Sequence, residues 1–300
     1  MLVRNTHYPL AAVFLFFWVA ITLTPRAWSE IHVVDYLDRD VRLDKPAERI
    51  VALAPHIVEN LFSAGAGDKI VGAVDYCDYP EAALSIPRVG AISTYSLETI
   101  VSLKPDLVVI WGSGSAKKVM KKLISLGFNV YASSPHVLED VARSIRDFGV
   151  LAGTSEYAER NARVFEEKLA RLKAQYSGKR QVGTFYQVWD DPMQTINDKA
   201  FISDVIKLCG GRNVFGDAIS SAPKISVESV LQRNPEAIIA SGMQDERPDW
   251  LDAWKRWEGI SAVKRGNLFY VPPDIIQRHS ARIAEGAQII CEQLDSARLK

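Results

Sequence analysis

The sequence predicts an α/β protein of two Rossmann-like lobes joined by one long helix, and three observations carry that expectation. From Arg49 onward, short β-rich runs alternate with helical patterns, as expected of parallel sheets covered by helices on both faces. The stretch "SLETIVSLKPDLVVI" (96–110) returns as "SVESVLQRNPEAIIA" (226–240), with Ser96, Glu98 and Pro105 matched by Ser226, Glu228 and Pro235. Between the two copies, Ala158, Ala162, Phe165, Leu169, Leu172 and Tyr176 recur at alternating steps of four and three. That is a single apolar stripe over about six helical turns, a stiff strut where a Gly/Ser-rich stretch would be a flexible linker.

The elements follow in order. "RIVALA" (49–54) reads as a strand, "VENLFSAGAG" as a helix ended by glycine, and "KIVGAV" (69–74) as a strand. "SLETIVSLK" is a helix with Ser96 as its N-cap and Pro105 as its stop. "DLVVIW" (106–111) is a buried strand, "AKKVMKKLISLG" a helix closed by Gly127, and "NVYAS" a strand. The strut has Thr154 or Ser155 as its cap and Gly178 as its end. The second half repeats the scheme with a strand at 181–188, a helix at 201–211, a helix at "SVESVLQRN", strands at "EAIIAS" and 267–271, and a closing helix "ARIAEGAQIICEQLDSA". The expected division is a signal peptide over 1–29, an N-terminal lobe over 48–152, the linking helix over 153–178 and a C-terminal lobe over 179–300.

The signal is read from Arg4, the apolar run 10–23, and the small residues Ala27 and Ser29 before an expected cut after Ser29. The run is shorter than the roughly 20 residues of a spanning helix. No cysteine stands at the cut, so no lipid anchor is expected there. The mature chain is expected to be a soluble exported protein. Among its three cysteines, a bridge from Cys77 would tie the two halves together, so Cys209 with Cys291 is the favoured pair; three free buried thiols is the alternative.

Lysine and arginine together number 36, as do aspartate and glutamate, so no basic excess points to nucleic acid or an anionic membrane surface. In open parallel sheets, ligands sit beyond the carboxyl ends of the strands. Those ends carry Tyr76 and Tyr79, Trp111, Trp189, Asp274 and His56. Aromatics with a few polar groups suit a large, flat, partly apolar ligand; burial beneath loops is the other reading of Trp111 and Trp189. "GSGSAK" (112–117) has Lys117 where a dinucleotide loop needs its third glycine, and it lacks the Gly-Lys-Ser/Thr of a nucleotide triphosphate loop. The catalytic signatures Gly-x-Ser-x-Gly and His-Glu-x-x-His are missing. With five histidines, no histidine-rich metal site is expected; His56 and His279 are placed near the cleft, more as hydrogen-bonded loop residues than as metal ligands.

The segments "RIVALAPHIVENLFSAGAG", "VDYCDYP", "SLETIVSLKPDLVVIW", "DVIKLCGGRNVF", "SVESVLQRNPEAII" and "PPDIIQRHSARI" together resemble the periplasmic substrate-binding proteins for iron-siderophores, haem or cobalamin. This is the class III, chelatase-like type, and the resemblance is strongest to members that serve cobalamin importers. It implies no cofactor and no reaction: a monomer binds cobalamin and docks on the permease dimer of an ABC transporter. It implies that Glu98 and Glu228 meet permease arginines, that Tyr76, Trp111 and Asp274 touch the ligand, and it supports the Cys209–Cys291 bridge. The residues depart from the pattern at Ile92 and Ile275, where cobalamin binders carry aromatics; Trp189 or Tyr95 are the candidate replacements. Haem or a ferric siderophore on the same architecture is the alternative. Siderophores are commonly anionic, and the expected cleft offers aromatics and Asp274 instead of cations. A chelatase-like enzyme is a third reading, and the missing catalytic signatures count against it.

Overall fold

The computed structural model describes residues 1–2, 30–112, 116–242 and 246–300. The expected signal segment, apart from its first two residues, and residues 113–115 of the "GSGSAK" stretch lie outside the described residues.

Ile31–Val34 (β1) and Asp40–Leu43 (β2) form an antiparallel hairpin absent from the sequence reading. The first lobe continues with Ile50–Ala52 (β3), Pro55–Ser63 (α1), Ile70–Ala73 (β4), Gly90–Ala91 (β5), Thr94–Tyr95 (β6), Leu97–Ser102 (α2), Leu107–Trp111 (β7), Ala116–Ser125 (α3), Val130–Ser133 (β8) and Glu139–Ala152 (α4). Ser155–Tyr176 (α5) follows. The second lobe holds Val182–Gln187 (β9), Phe201–Leu208 (α6), Gly211–Asn213 (β10), Val227–Arg233 (α7), Ala237–Ala240 (β11), Ser261–Lys264 (α8), Leu268–Tyr270 (β12), Pro273–Ile276 (α9) and Ile283–Leu299 (α10).

Each lobe is built on a four-stranded parallel sheet, in order β4-β3-β7-β8 in the first and β10-β9-β11-β12 in the second. Strands β3, β8, β9 and β11 are buried at every residue, the near-continuous apolar signature of a sheet covered on both faces. The sequence repeat has a topological cause. In each lobe a serine-capped helix leads into the strand that pairs with the first strand of the lobe's parallel sheet: α2 into β7 beside β3, α7 into β11 beside β9. Each copy then places an acid just after its proline at the start of the neighbouring strand. Asp106 accepts hydrogen bonds from the Glu48 and Arg49 amides at 2.9 and 3.0 Å, and Glu236 accepts one from the Gly183 amide at 3.1 Å.

The strut α5 runs 22 residues, and all six residues of its stripe are buried. It packs on α4 and α1 of the first lobe and on α10 and α6 of the second, so both lobes grip one rod. Its expected cap is absent: Thr154 donates its hydroxyl to the Ala64 carbonyl at 2.7 Å, tying the strut to the end of α1 instead. Between α4 and α5 the chain reverses at Gly153 (φ 72°), a left-handed position that suits glycine. A side chain on Gly149 would meet the Ala158 methyl at 2.3 Å, so the glycine permits the close approach of these two helices.

Helix α1 starts three residues earlier than the sequence reading placed it. Pro55 sits at its first position, where a fixed φ and a missing amide are no handicap, and His56 therefore belongs to a helical turn and not to a loop.

Candidate functional site

The carboxyl end of β3 leads directly into Pro55 and His56, and β7 ends at Trp111. From the second lobe, His279 enters between α9 and α10. These three rings form one cluster across the lobe boundary. His56 meets Trp111 edge-on at 5.4 Å between centroids, Trp111 meets His279 at 6.1 Å, and the two imidazoles are 5.8 Å apart. Phe201 at the start of α6 stacks on His279 at 4.2 Å. Burial pushes His56 down to about 3, with His279 adding to the effect, and burial pushes His279 down to about 4, with His136 adding. Both rings are neutral at ordinary pH. Nε2 of His56 and Nδ1 of His279 are buried without a hydrogen-bond partner, so His56 is not the hydrogen-bonded loop residue expected.

The loop after β4 carries the next residues. Tyr76 has φ 62°, a left-handed conformation uncommon for an aromatic residue, and its side chain is 81 % exposed. Tyr79 is also exposed, with the Arg282 guanidinium 4.0 Å above its ring. Cys77 between them is buried and unbridged, its thiol pushed up to about 12, chiefly by burial.

Asp274, in α9, pairs with Arg278 one turn later at 2.7 Å. Arg278 also reaches Asp78 at 2.6 Å and Glu59 at 2.8 Å, both in the first lobe. Glu59 is buried in α1 and further accepts from Ser280 Oγ at 2.5 Å and Arg282 at 3.4 Å. Burial raises the Glu59 carboxyl above its usual range, and these donors offset part of that. The sequence reading missed Arg278 and Glu59. The signals were present: Arg278 stands four residues after Asp274, at the spacing of an i,i+4 ion pair, and Glu59 is a lone charge inside the apolar pattern of α1.

The remaining expected residues lie further out. Trp189, partly exposed, lines a surface recess with Gly242, Arg247, Pro248, Asp249 and Trp250, and donates its ring N–H to the Asp191 carbonyl at 2.9 Å. Ile92 is exposed, Ile275 is buried and Tyr95 is partly buried. The structure thus brings Trp111, His56 and His279 together, and joins Asp274 to the Tyr76–Tyr79 loop through Arg278. Among the described residues, no group of three or more His, Cys, Asp and Glu is placed to hold a metal ion. No helix among them is long and apolar enough to cross a membrane.

Glu98 and Glu228 are exposed in the first turns of α2 and α7, behind the caps Ser96 and Ser226. Cys209, at the end of α6, is bridged to Cys291 in α10, as the sequence reading favoured.

A family model for periplasmic binding proteins matches residues 50–275. The chain belongs to the periplasmic binding protein family. Within that family it is 33% identical over 253 residues to the vitamin B12-binding protein of Vibrio cholerae, covering 84% of this chain and 91% of that protein. The solved structure of the periplasmic vitamin B12-binding protein BtuF of Vibrio cholerae superposes with a TM-score of 0.78 at 33% identity, over 85% of this chain and 99% of that one. The periplasmic haem-binding protein HutB of the same organism shares the fold, with a TM-score of 0.72 at 18% identity over 82% and 98% of the two chains. The two parallel sheets and the connecting strut are therefore the architecture of class III periplasmic binding proteins.

Proposed function

We propose that this protein captures cobalamin in the periplasm and delivers it to an ABC importer, by binding and docking without chemistry. What carries the reading is the 33% identity to a vitamin B12-binding protein along nearly the full length of both chains. The haem alternative has likeness of fold alone. The residue types suit a large, flat, partly apolar molecule: Trp111 after β7 and the exposed Tyr76 and Tyr79 after β4 would meet it from the first lobe, and Trp189 and Asp274 from the second. His56 meets Trp111 edge-on and supports that ring beside the ligand. Ile92 and Ile275 remove aromatic surface, and Trp189 replaces some of it.

In this reading residues 1–29 are a signal peptide removed on export. Residues 48–152 and 179–300 are the two lobes and 153–178 the linking helix, and the mature protein acts as a monomer. Glu98 and Glu228 are the contacts for the permease dimer. The test is calorimetric titration of the purified mature protein with cobalamin, haem and a ferric siderophore. Binding of cobalamin at 1:1 is expected. No heat with cobalamin together with tight binding of haem would overturn the reading.

A further inference from the structure

We infer that Arg278 is the positioning residue of the ligand cleft, holding Asp274 of the second lobe and the Tyr76–Tyr79 loop of the first in one fixed arrangement, with Glu59 holding Arg278 in turn. The inference rests on the cobalamin-binding reading above and adds to it a residue that acts through others.

The geometry is continuous. Arg278 Nη1 reaches Glu59 Oε1 at 2.8 Å and Asp78 Oδ1 at 2.6 Å, while its Nη2 reaches Asp274 Oδ1 at 2.7 Å. One guanidinium thus satisfies three carboxylates, two from one lobe and one from the other. A planar fork of donors can do this, whereas a lysine presents a single point charge. Asp78 lies between Tyr76 and Tyr79, so its bond to Arg278 fixes the loop that displays both rings. Tyr76 is held with positive φ, a conformation that surrounding structure has to impose.

Glu59 and its neighbour Asn60 secure the base. Glu59 takes Arg278, Ser280 and Arg282, while the Asn60 amide donates to the His279 carbonyl at 3.0 Å and its oxygen accepts from the Ala281 amide at 3.3 Å. Every residue from Arg278 to Arg282 is therefore gripped by two adjacent positions of α1. A buried carboxylate that lost these partners would be left uncompensated, so the two lobes are locked to one spacing at this point. A flat, rigid ligand needs such a spacing, because walls fixed before binding lose little ordering entropy on binding.

The experiment separates positioning from stability. Asp78 is partly exposed, so Asp78→Asn removes one arm without burying an unpaired charge. Arg278→Lys keeps the positive charge but not the fork. Both variants are titrated with cobalamin at a temperature where each is fully folded, beside the unaltered protein, and amide exchange is followed over residues 75–80. The expected result is at least a tenfold loss of affinity in both variants, with faster exchange across 75–80 and a melting temperature near that of the parent for Asp78→Asn. Wild-type affinity in both variants would overturn the inference, as would unchanged exchange over 75–80. If the unaltered protein itself fails to bind cobalamin, it is the functional reading that falls, and the exchange data alone then decide whether Arg278 orders the loop.

Discussion

Glu98 and Glu228 occupy the same step of two helices in different lobes: each follows a serine whose hydroxyl accepts from the backbone amide three residues on, Thr99 at 3.1 Å and Ser229 at 3.4 Å. Both carboxylates are exposed, and the exposure pattern of 96–100 is repeated residue for residue in 226–230. A carboxylate in a first turn is favoured by the helix dipole by about 0.3–1 kcal/mol, which alone could account for one such residue. The same residue at both equivalent places, on lobes held by a single rod, is the arrangement that the proposed docking on a permease dimer requires.

Exposed ion pairs contribute about 0–1 kcal/mol each. Two on one rigid body act together, because the second forms at high effective concentration once the first exists. Reversing both charges, Glu98→Arg with Glu228→Arg, is expected to abolish delivery to the permease in reconstituted vesicles. Each single reversal should give a partial defect whose size depends on ionic strength and shrinks as added salt screens the charges. Cobalamin affinity in solution should be unchanged. Normal uptake by the double variant would reduce these residues to helix-start charges, and lost ligand affinity would place them in the cleft.

Trp111→Ala should weaken cobalamin binding by about 1–3 kcal/mol, the worth of burying a large side chain against a ligand. Trp111 is partly exposed at the end of β7 and packs edge-on against both histidines, so it has surface left for a ligand to cover. Titration of the variant measures the effect. Affinity equal to the parent would make the tryptophan a lid over the imidazoles and nothing more.

The Cys209–Cys291 bridge spans 82 positions. In the chain-entropy account, closing such a loop stabilises by about 4–5 kcal/mol. Both sulfurs are fully buried where α6 meets α10, behind the second sheet. Replacing both cysteines by alanine should lower the unfolding free energy by about that amount in denaturant titrations, with cobalamin affinity retained below the lowered melting temperature. A stability change under 1 kcal/mol would show that residual structure in the unfolded chain already holds these segments together.

The architecture was legible because its signals are periodic. The stripe from Ala158 to Tyr176 sets a helix whatever surrounds it, and the buried strands read as apolar runs. Short elements escaped for the opposite reason: β10 is "GRN", with a charged central residue, and it is a strand only because β9 lies beside it. Helix α4 has a clear apolar face, but Gly149 interrupts it, and the glycine is there for contact with Ala158, a partner that local sequence does not name. In the candidate site, residues at strand ends were found by rule. Arg278 and Glu59 were not, since their importance comes from partners about 200 residues away.

The histidine pair gives the protein a defined acid sensitivity. His56 is held near 3 and His279 near 4 by burial, against an ordinary value near 6.5. A group whose folded value is depressed binds fewer protons in the folded state than in the unfolded one. Folding stability is therefore complete above pH 6.5 and is lost as pH falls toward 4 and 3. At pH 5 each histidine forfeits about 2 kcal/mol by this linkage. The groups facing the pair are Trp111 and Phe201, which offer no compensating anion, and His136, which is a further cation when protonated. Glu59 acts in the opposite sense: its folded value is raised, so its contribution is greatest in acid and is lost as pH rises above the ordinary glutamate range. A comparison that isolates the histidines is needed for that reason. His56→Phe with His279→Phe replaces both imidazoles by rings that fit an aromatic cluster and do not titrate. Unfolding free energies of parent and variant should be measured in denaturant at pH 7.5 and pH 5. The parent is expected to lose about 4 kcal/mol more than the variant over this interval. Parallel losses in the two proteins would mean that His56 and His279 take up protons in the fold about as readily as in the unfolded chain, and that acid acts through other groups.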